Sequence, residues 1–392
     1  MQPGITNRPQ LLFVGHSASR SGAPMLLLGI IKELKRVADY EFRILLIEDG
    51  PLRKDFEMLG PTFIWPSAQK KKRSLFDRVR TRFLQKIMAR RFRNVSLVFL
   101  NTITVGEVLE KLLPNKSRYL CYIHELEYVI RRLTKPHLLD IVLRNTDFFL
   151  GGSRAVQENL IANHQVDPAK VEVLYSFVPG EAADFLPEET MVNRFREANK
   201  IPFNALVIGS SAVNEWRKGF DLFFPLIKIY ERFFPGREVH FVWLGMNENH
   251  PSIHSCRYDL EKFGFSANVH LVPHCADYLE CMAAFDIHLL LSREDPFPVA
   301  VLEAAAFGIP TICFSNAGGT PEFVAENCGM EVPYGDLYNV ALAIHELGSD
   351  EEMRRRMGQN AKQKVIVNHG QSRAARQVRI AVDRLLASDQ KL

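Results

Sequence analysis

No Cys-x-x-Cys pair occurs in this sequence, and its six cysteines (Cys121, Cys256, Cys275, Cys281, Cys313, Cys328) stand apart from any paired Cys/His spacing. That pattern excludes a zinc finger or ribbon, and scattered thiols in strand-like surroundings point to a reducing compartment. His274-Cys275 with Cys281 comes nearest to a metal spacing and reads as core packing. No apolar run reaches the roughly 18 residues of a membrane span. The opening MQPGITNRPQ has no basic-then-apolar leader, so a cytoplasmic protein is expected. A Gly-x-Gly-x-x-Gly run is missing as well, which argues against a nicotinamide fingerprint. No RNA-binding module or aromatic-interleaved basic tract is present, so no nucleic-acid partner is expected.

What remains is the composition of a soluble globular protein: 392 residues, 47% hydrophobic and 24% charged, enough for two domains. The net charge of +4 is unevenly placed. Residues 1–180 hold 28 Lys/Arg against 17 Asp/Glu, and residues 181–392 hold 21 against 28. A negatively charged acceptor surface would therefore meet the first half. The excess is densest in Lys70–Arg93, with eleven basic residues and one acid, Asp77. Leu75, Phe76, Val79, Phe83, Ile87 and Met88 recur there at three- and four-residue spacing, giving an amphipathic helix with one apolar face. Such a helix lies on an anionic bilayer or packs on a sheet with its basic face solvated; both readings stand.

Short apolar runs alternate with helical patterns along the whole chain. Strands are expected at Leu11–Val14, Glu41–Ile47, Phe63–Ile64, Ser96–Leu100, Tyr119–Ile123, Asp147–Leu150 and Val171–Tyr175. After a break at Ser176–Pro202 a second series starts at Leu206–Gly209. It continues through Val239–Leu244, Val269–Val272, Phe285–Leu291, Thr311–Phe314 and Gly329–Pro333. The expectation is α/β, two doubly wound domains over 1–178 and 179–375, with a cleft between them as the default site. The loop Gly15–Pro24 leads into a helix from Met25 and can offer backbone amides to an anion. His124-Glu125 stands at a strand's carboxyl end, where such sheets bind ligands.

The most informative stretch is Ser292–Gly319, SREDPFPVAVLEAAAFGIPTICFSNAGG. It reads as strand, turn, helix, strand and glycine turn. Asp295 lies in the first turn and Glu303 eight residues later, a little over two helical turns, so both carboxylates can share one face. The span Asp295-x7-Glu303, with Ala304, Gly308-x-Pro310 and Gly318-Gly319-x-x-Glu322, resembles the acidic signature of retaining family-4 glycosyltransferases. These are GT-B enzymes, with two Rossmann-like domains and nucleotide-sugar donors. That pattern usually has Glu-Gly-Phe-Gly where this chain has Asp-Pro-Phe-Pro, and prolines 296 and 298 remove two backbone donors. Ser210–Asp221, with Arg217-Lys218-Gly219, resembles the family's basic diphosphate-binding loop, though Ser210 stands where that pattern usually has Arg and Arg217 would take its place.

The resemblance implies roles. Glu303 would bind the ribose hydroxyls and Asp295 the donor sugar, helped by the Phe297 and Val299 amides. Arg217 and Lys218 would neutralise the diphosphate, with amides near Gly318, Gly319 and Thr320. His124 would abut the reacting sugar, and Gly22 and Ala23 would approach the donor phosphates. Neither a metal nor another cofactor is expected, because the two cations take that part. The acceptor would be a glycan or lipid-linked molecule in cell-surface polysaccharide or glycolipid assembly. A helix over about 376–392 would cross back onto the first domain. An epimerase or phosphorylase on the same fold, or a catalytically silent sugar-binding scaffold, are the alternatives; a peripheral position at the inner membrane face follows if 70–93 binds lipid.

Overall fold

In the computed structural model the chain forms two units, and the structure describes residues 8–66, 75–113, 116–180, 185, 187–265 and 268–388. One unit comprises Met1–Ser176 with Gln371–Leu392, the other Phe177–Gly370. Residues 70–74 of the basic tract and 389–392 of the last expected helix lie outside the described residues.

The first unit is built on seven parallel strands: β1 (Gln10–Ser17), β2 (Glu41–Glu48), β3 (Thr62–Ile64), β4 (Leu97–Leu100), β5 (Arg118–Ile123), β6 (Phe148–Gly151) and β7 (Val171–Val173). Their order is β3-β2-β1-β4-β5-β6-β7. The apolar runs are continuous because helices cover the sheet on both faces; Leu11–Val14, Val98–Leu100 and Leu120–Ile123 are fully buried. The last helix, Gln371–Ser388, packs Ala375, Val378 and Val382 inward. It is tied to the first unit by Ser372 Oγ donating to Glu33 Oε2 at 2.8 Å and Arg379 Nη1 donating to the Val37 carbonyl at 2.6 Å.

The second unit repeats the plan with six parallel strands. These are β8 (Leu206–Ser211), β9 (Val239–Met246), β10 (Val269–Pro273), β11 (Ile287–Leu290), β12 (Thr311–Phe314) and β13 (Gly329–Val332), in the order β10-β9-β8-β11-β12-β13. Its core is strongly aromatic, with Phe220, Phe223, Phe224, Phe241 and Trp243 meeting edge to face. In both sheets the strand order reverses once, between β1 and β4 and between β8 and β11. Such switch points open a crevice at the carboxyl ends of the strands, and helices that start there present unpaired amides. Among the described residues no helix is long and apolar enough to cross a membrane.

Two expectations about local structure are corrected. The helix expected from Met25 begins at Gly22, so Gly22 and Ala23 form its first turn instead of a loop tip. Pro24 is compatible with this, since the first turn needs no amide from it. Nor do all the apolar positions of the basic helix Leu75–Arg91 share one face. Met88 packs toward the first unit's core, while Phe76, Val79, Phe83 and Ile87 point to solvent.

Candidate functional site

In the second unit the site is assembled at the β8/β11 reversal. After β8 the chain makes a short turn, Trp216–Lys218, closed by Gly219 with φ 76°. A Cβ on Gly219 would lie 2.0 Å from the Leu291 carbonyl oxygen. Only glycine permits both that conformation and that approach, and the approach brings Lys218 against the loop leaving β11. Lys218 Nζ donates a short hydrogen bond to Asp295 Oδ2, with Arg217 Nη1 3.8 Å from the same oxygen. Ser292 Oγ is 3.4 Å away. Asp295 is only 4% exposed, so its charge is matched by cations and not by water. The two loops are stitched further: Arg217 Nη1 donates to the Glu294 carbonyl at 2.7 Å, and the Arg293 amide to the Arg217 carbonyl at 2.8 Å.

Asp295 does not share a helix with Glu303. The helix begins at Val299 with Pro298 as its N-cap, and Asp295 is held in extended pairing with Gly318. Its amide donates to the Ala317 carbonyl at 2.7 Å. Gly318, at φ 123°, makes the return possible. The Gly319 amide, expected to face a phosphate, instead donates to the carbonyls of Asp295 and Pro296 at 3.2 and 3.0 Å. The Phe297 ring is buried, stacked on His369 at 5.3 Å and edge-on to Phe323. Val299 opens its helix, so its amide belongs to the turn with no intrahelical acceptor. Thr320 begins the next helix, and its buried Oγ1 has no partner among the described residues.

Glu303 sits on the helix Val299–Ala306 and is 6% exposed. Burial pushes its carboxyl up to about 7, and the hydroxyl of Tyr278, donating to Oε1 at 2.8 Å, pulls it the other way. Sequence reasoning missed Tyr278. It follows β10 at the start of a short helix, and its only signal was a polar aromatic beyond a strand's carboxyl end.

The first unit builds its own constellation at the β1/β4 reversal. Asn101, immediately after β4, donates from Nδ2 to the Ala23 carbonyl at 2.9 Å, while its Oδ1 is 3.1 Å from His124 Nε2. The neutral imidazole therefore carries its proton on Nε2 and leaves Nδ1 as an acceptor. Burial, and secondarily His16, depress His124 to about 3. Glu125 is turned inward: its carboxylate accepts from Thr102 Oγ1 in a short bond and from the amides of Ile103 and His124 at 3.3 and 3.1 Å. It staples two loops together. Asn101 too was missed, being a single polar residue at a strand end.

Among the described residues no three His, Cys, Asp or Glu side chains converge as metal ligands. A cavity of about 410 Å³ lined by Tyr230, Phe234, Arg237, His240 and Asn268 lies at the amino ends of β9 and β10, the sheet edge opposite Lys218 and Asp295.

Residues 191–364 match the family model of glycosyl transferases group 1. The chain is 38% identical over 87 residues to N-acetyl-alpha-D-glucosaminyl L-malate synthase of Bacillus anthracis, covering 22% of this chain and 23% of that protein. It is 25% identical over 238 residues to D-inositol 3-phosphate glycosyltransferase of Corynebacterium kroppenstedtii, covering 59% and 51%. The chain thus spans between about a quarter and a half of the length of these curated relatives. In fold it is similar to Anabaena HepE, solved in complex with UDP-glucose, with a TM-score of 0.80 at 17% identity over 96% of this chain and 99% of that one. Residues 191–364 thus resemble the glycosyl transferases group 1 model, and the two parallel-sheet units have the GT-B fold.

Proposed function

We propose that this chain is a retaining glycosyltransferase that moves a sugar from a nucleoside diphosphate sugar to an acceptor hydroxyl. The observation that carries the reading is the convergence of Lys218 and Arg217 on Asp295 at the β8/β11 switch point, with Glu303 on the helix that the same loop enters. A diphosphate arriving there competes for Lys218, and Asp295 is then released to accept hydrogen bonds from donor sugar hydroxyls. Glu303, in its ionised form, accepts from the ribose hydroxyls. As the bond from the anomeric carbon to the diphosphate oxygen breaks, the charge gained by the leaving group is met by the two cations. The acceptor oxygen bonds the same face of the anomeric carbon and its proton passes to the departing phosphate, so no protein nucleophile is required. The cations supply the charge stabilisation that a metal ion would otherwise give. His124, neutral and fixed by Asn101, offers an uncharged edge to the reacting sugar.

The acceptor is a glycan or lipid-linked molecule of cell-surface polysaccharide or glycolipid assembly, met at the cytoplasmic face of a membrane. A nucleotide-sugar panel read by thermal shift tests the donor half. A true donor stabilises the protein by about 2.7 kcal/mol at a hundredfold excess over Kd, and the shift disappears in Lys218→Ala. Product analysis tests the rest. Turnover without acceptor to an epimeric donor, turnover dependent on inorganic phosphate, or equal donor turnover in wild type and Glu303→Ala would each overturn the assignment.

A further inference from the structure

The basic helix Leu75–Arg91 presents its large apolar side chains to solvent. Phe76, Val79, Phe83 and Ile87 are 74%, 60%, 62% and 42% exposed, and their spacing places them along one side of the helix. The opposite side is the one that packs. Gln85 and Ala89 are buried, Gln85 Nε2 donates to the Pro66 carbonyl at 3.0 Å, and Phe92 just beyond the helix meets Phe63 at 5.5 Å. The helix is thus anchored at its carboxyl end, while Phe76–Arg80 is exposed all round. Arg78, Arg80, Arg82, Lys86 and Arg90, all exposed, surround the apolar row, with Asp77 the single acid.

We infer that this row is a membrane-docking edge, whose apolar side chains enter an anionic bilayer while the flanking cations meet its headgroups. This rests on the proposed membrane-associated acceptor only for its purpose; the surface argument stands without it. Charge complementarity selects the partner. A second copy of this chain would set the same cations against one another, whereas anionic lipid accepts both the cations and the apolar row. The unit that carries the helix also holds most of the chain's basic excess, 28 Lys/Arg against 17 Asp/Glu in residues 1–180.

The test is flotation of the full chain, without donor, on phosphatidylcholine vesicles with and without phosphatidylglycerol. Binding is expected only with the anionic lipid. It should weaken but persist at high salt, where screening shortens to about 3 Å at 1 M and apolar insertion remains. Phe76→Glu combined with Phe83→Glu should lower the bound fraction roughly tenfold or more, with the melting temperature unchanged because the replaced rings are exposed. Phe203→Glu, an exposed aromatic of the second unit, should bind like wild type. Equal binding by the double variant, equal binding to neutral vesicles, or a solution dimer that the double variant dissociates would overturn the inference. Flotation requires no catalysis, so a failed glycosyl-transfer assay would not be mistaken for failure here.

Discussion

Replacing Glu303 by Gln should make the protein more stable and less functional at once. The Glu303 carboxyl is 6% exposed and is pushed from 4.5 to about 7 by burial. That gap corresponds to about 3 kcal/mol held against the ionised form. The folded state keeps this proton between about pH 4.5 and 7 where the unfolded chain releases it, so stability falls as pH rises through that window. Gln retains an acceptor for Tyr278 and carries no charge. Glu303→Gln should therefore match wild type near pH 4.5, gain steadily up to pH 7 and hold a plateau above it. At roughly 2–4 °C per kcal/mol for a domain of this size, the plateau is a rise of about 6–12 °C. Differential scanning calorimetry at pH 4.5, 6 and 8 measures it, and repeating the pH 8 scan with nucleotide sugar measures function. The donor-induced shift should be lost in the variant. A variant that melts at or below wild type at pH 8 refutes the burial argument; an undiminished donor shift refutes the ribose-binding role.

Three further outcomes follow from the same geometry. Tyr278→Phe removes the hydrogen bond that lowers the Glu303 pKa, so the pH midpoint of donor binding, measured by calorimetric titration, should move upward from about 7. Gly219→Ala should destabilise by about 1–3 kcal/mol from its left-handed backbone alone, and by more through the 2.0 Å approach to the Leu291 carbonyl; denaturant melts read this, with kcat falling because Lys218 is displaced. Asn101→Ala frees the His124 ring and should reduce kcat roughly tenfold, about the worth of one hydrogen bond, while donor Kd stays constant. In that assay the wild-type pH profile should show no His124 ionisation between 5 and 8, since burial holds it near 3.

Much of the architecture was legible because a parallel sheet covered on both faces leaves a local mark. β12, Thr311–Phe314, and the helix from Val299 could be read to the residue from an apolar run, a proline and a glycine. Contacts set by strand order could not. Lys218 and Asp295 are 77 residues apart and meet only because β8 lies beside β11. The Asp295-to-Glu303 spacing suggested one helical face, yet the helix starts only after Pro298, and Asp295 is paired with Gly318 in an isolated bridge ahead of it. Asn101 and Tyr278 escaped notice because a single polar residue at a strand end has no period and no repeat. In the basic helix the periodicity was visible but not its direction: apolar spacing gives a stripe, and only the packing of Gln85, Ala89 and Phe92 shows that the stripe faces outward.

The helix Gln371–Ser388 belongs to the first unit although all of Phe177–Gly370 precedes it in the chain. On a ribosome adding about 5–20 residues per second, the opening sheet would wait on the order of 10–40 s for the segment that bonds to Glu33 and Val37 of its first helix. The earliest part to be synthesised is thus the last to be finished. During that interval its uncovered apolar surface is a natural substrate for chaperones, whereas the later-made half can fold from contiguous sequence alone.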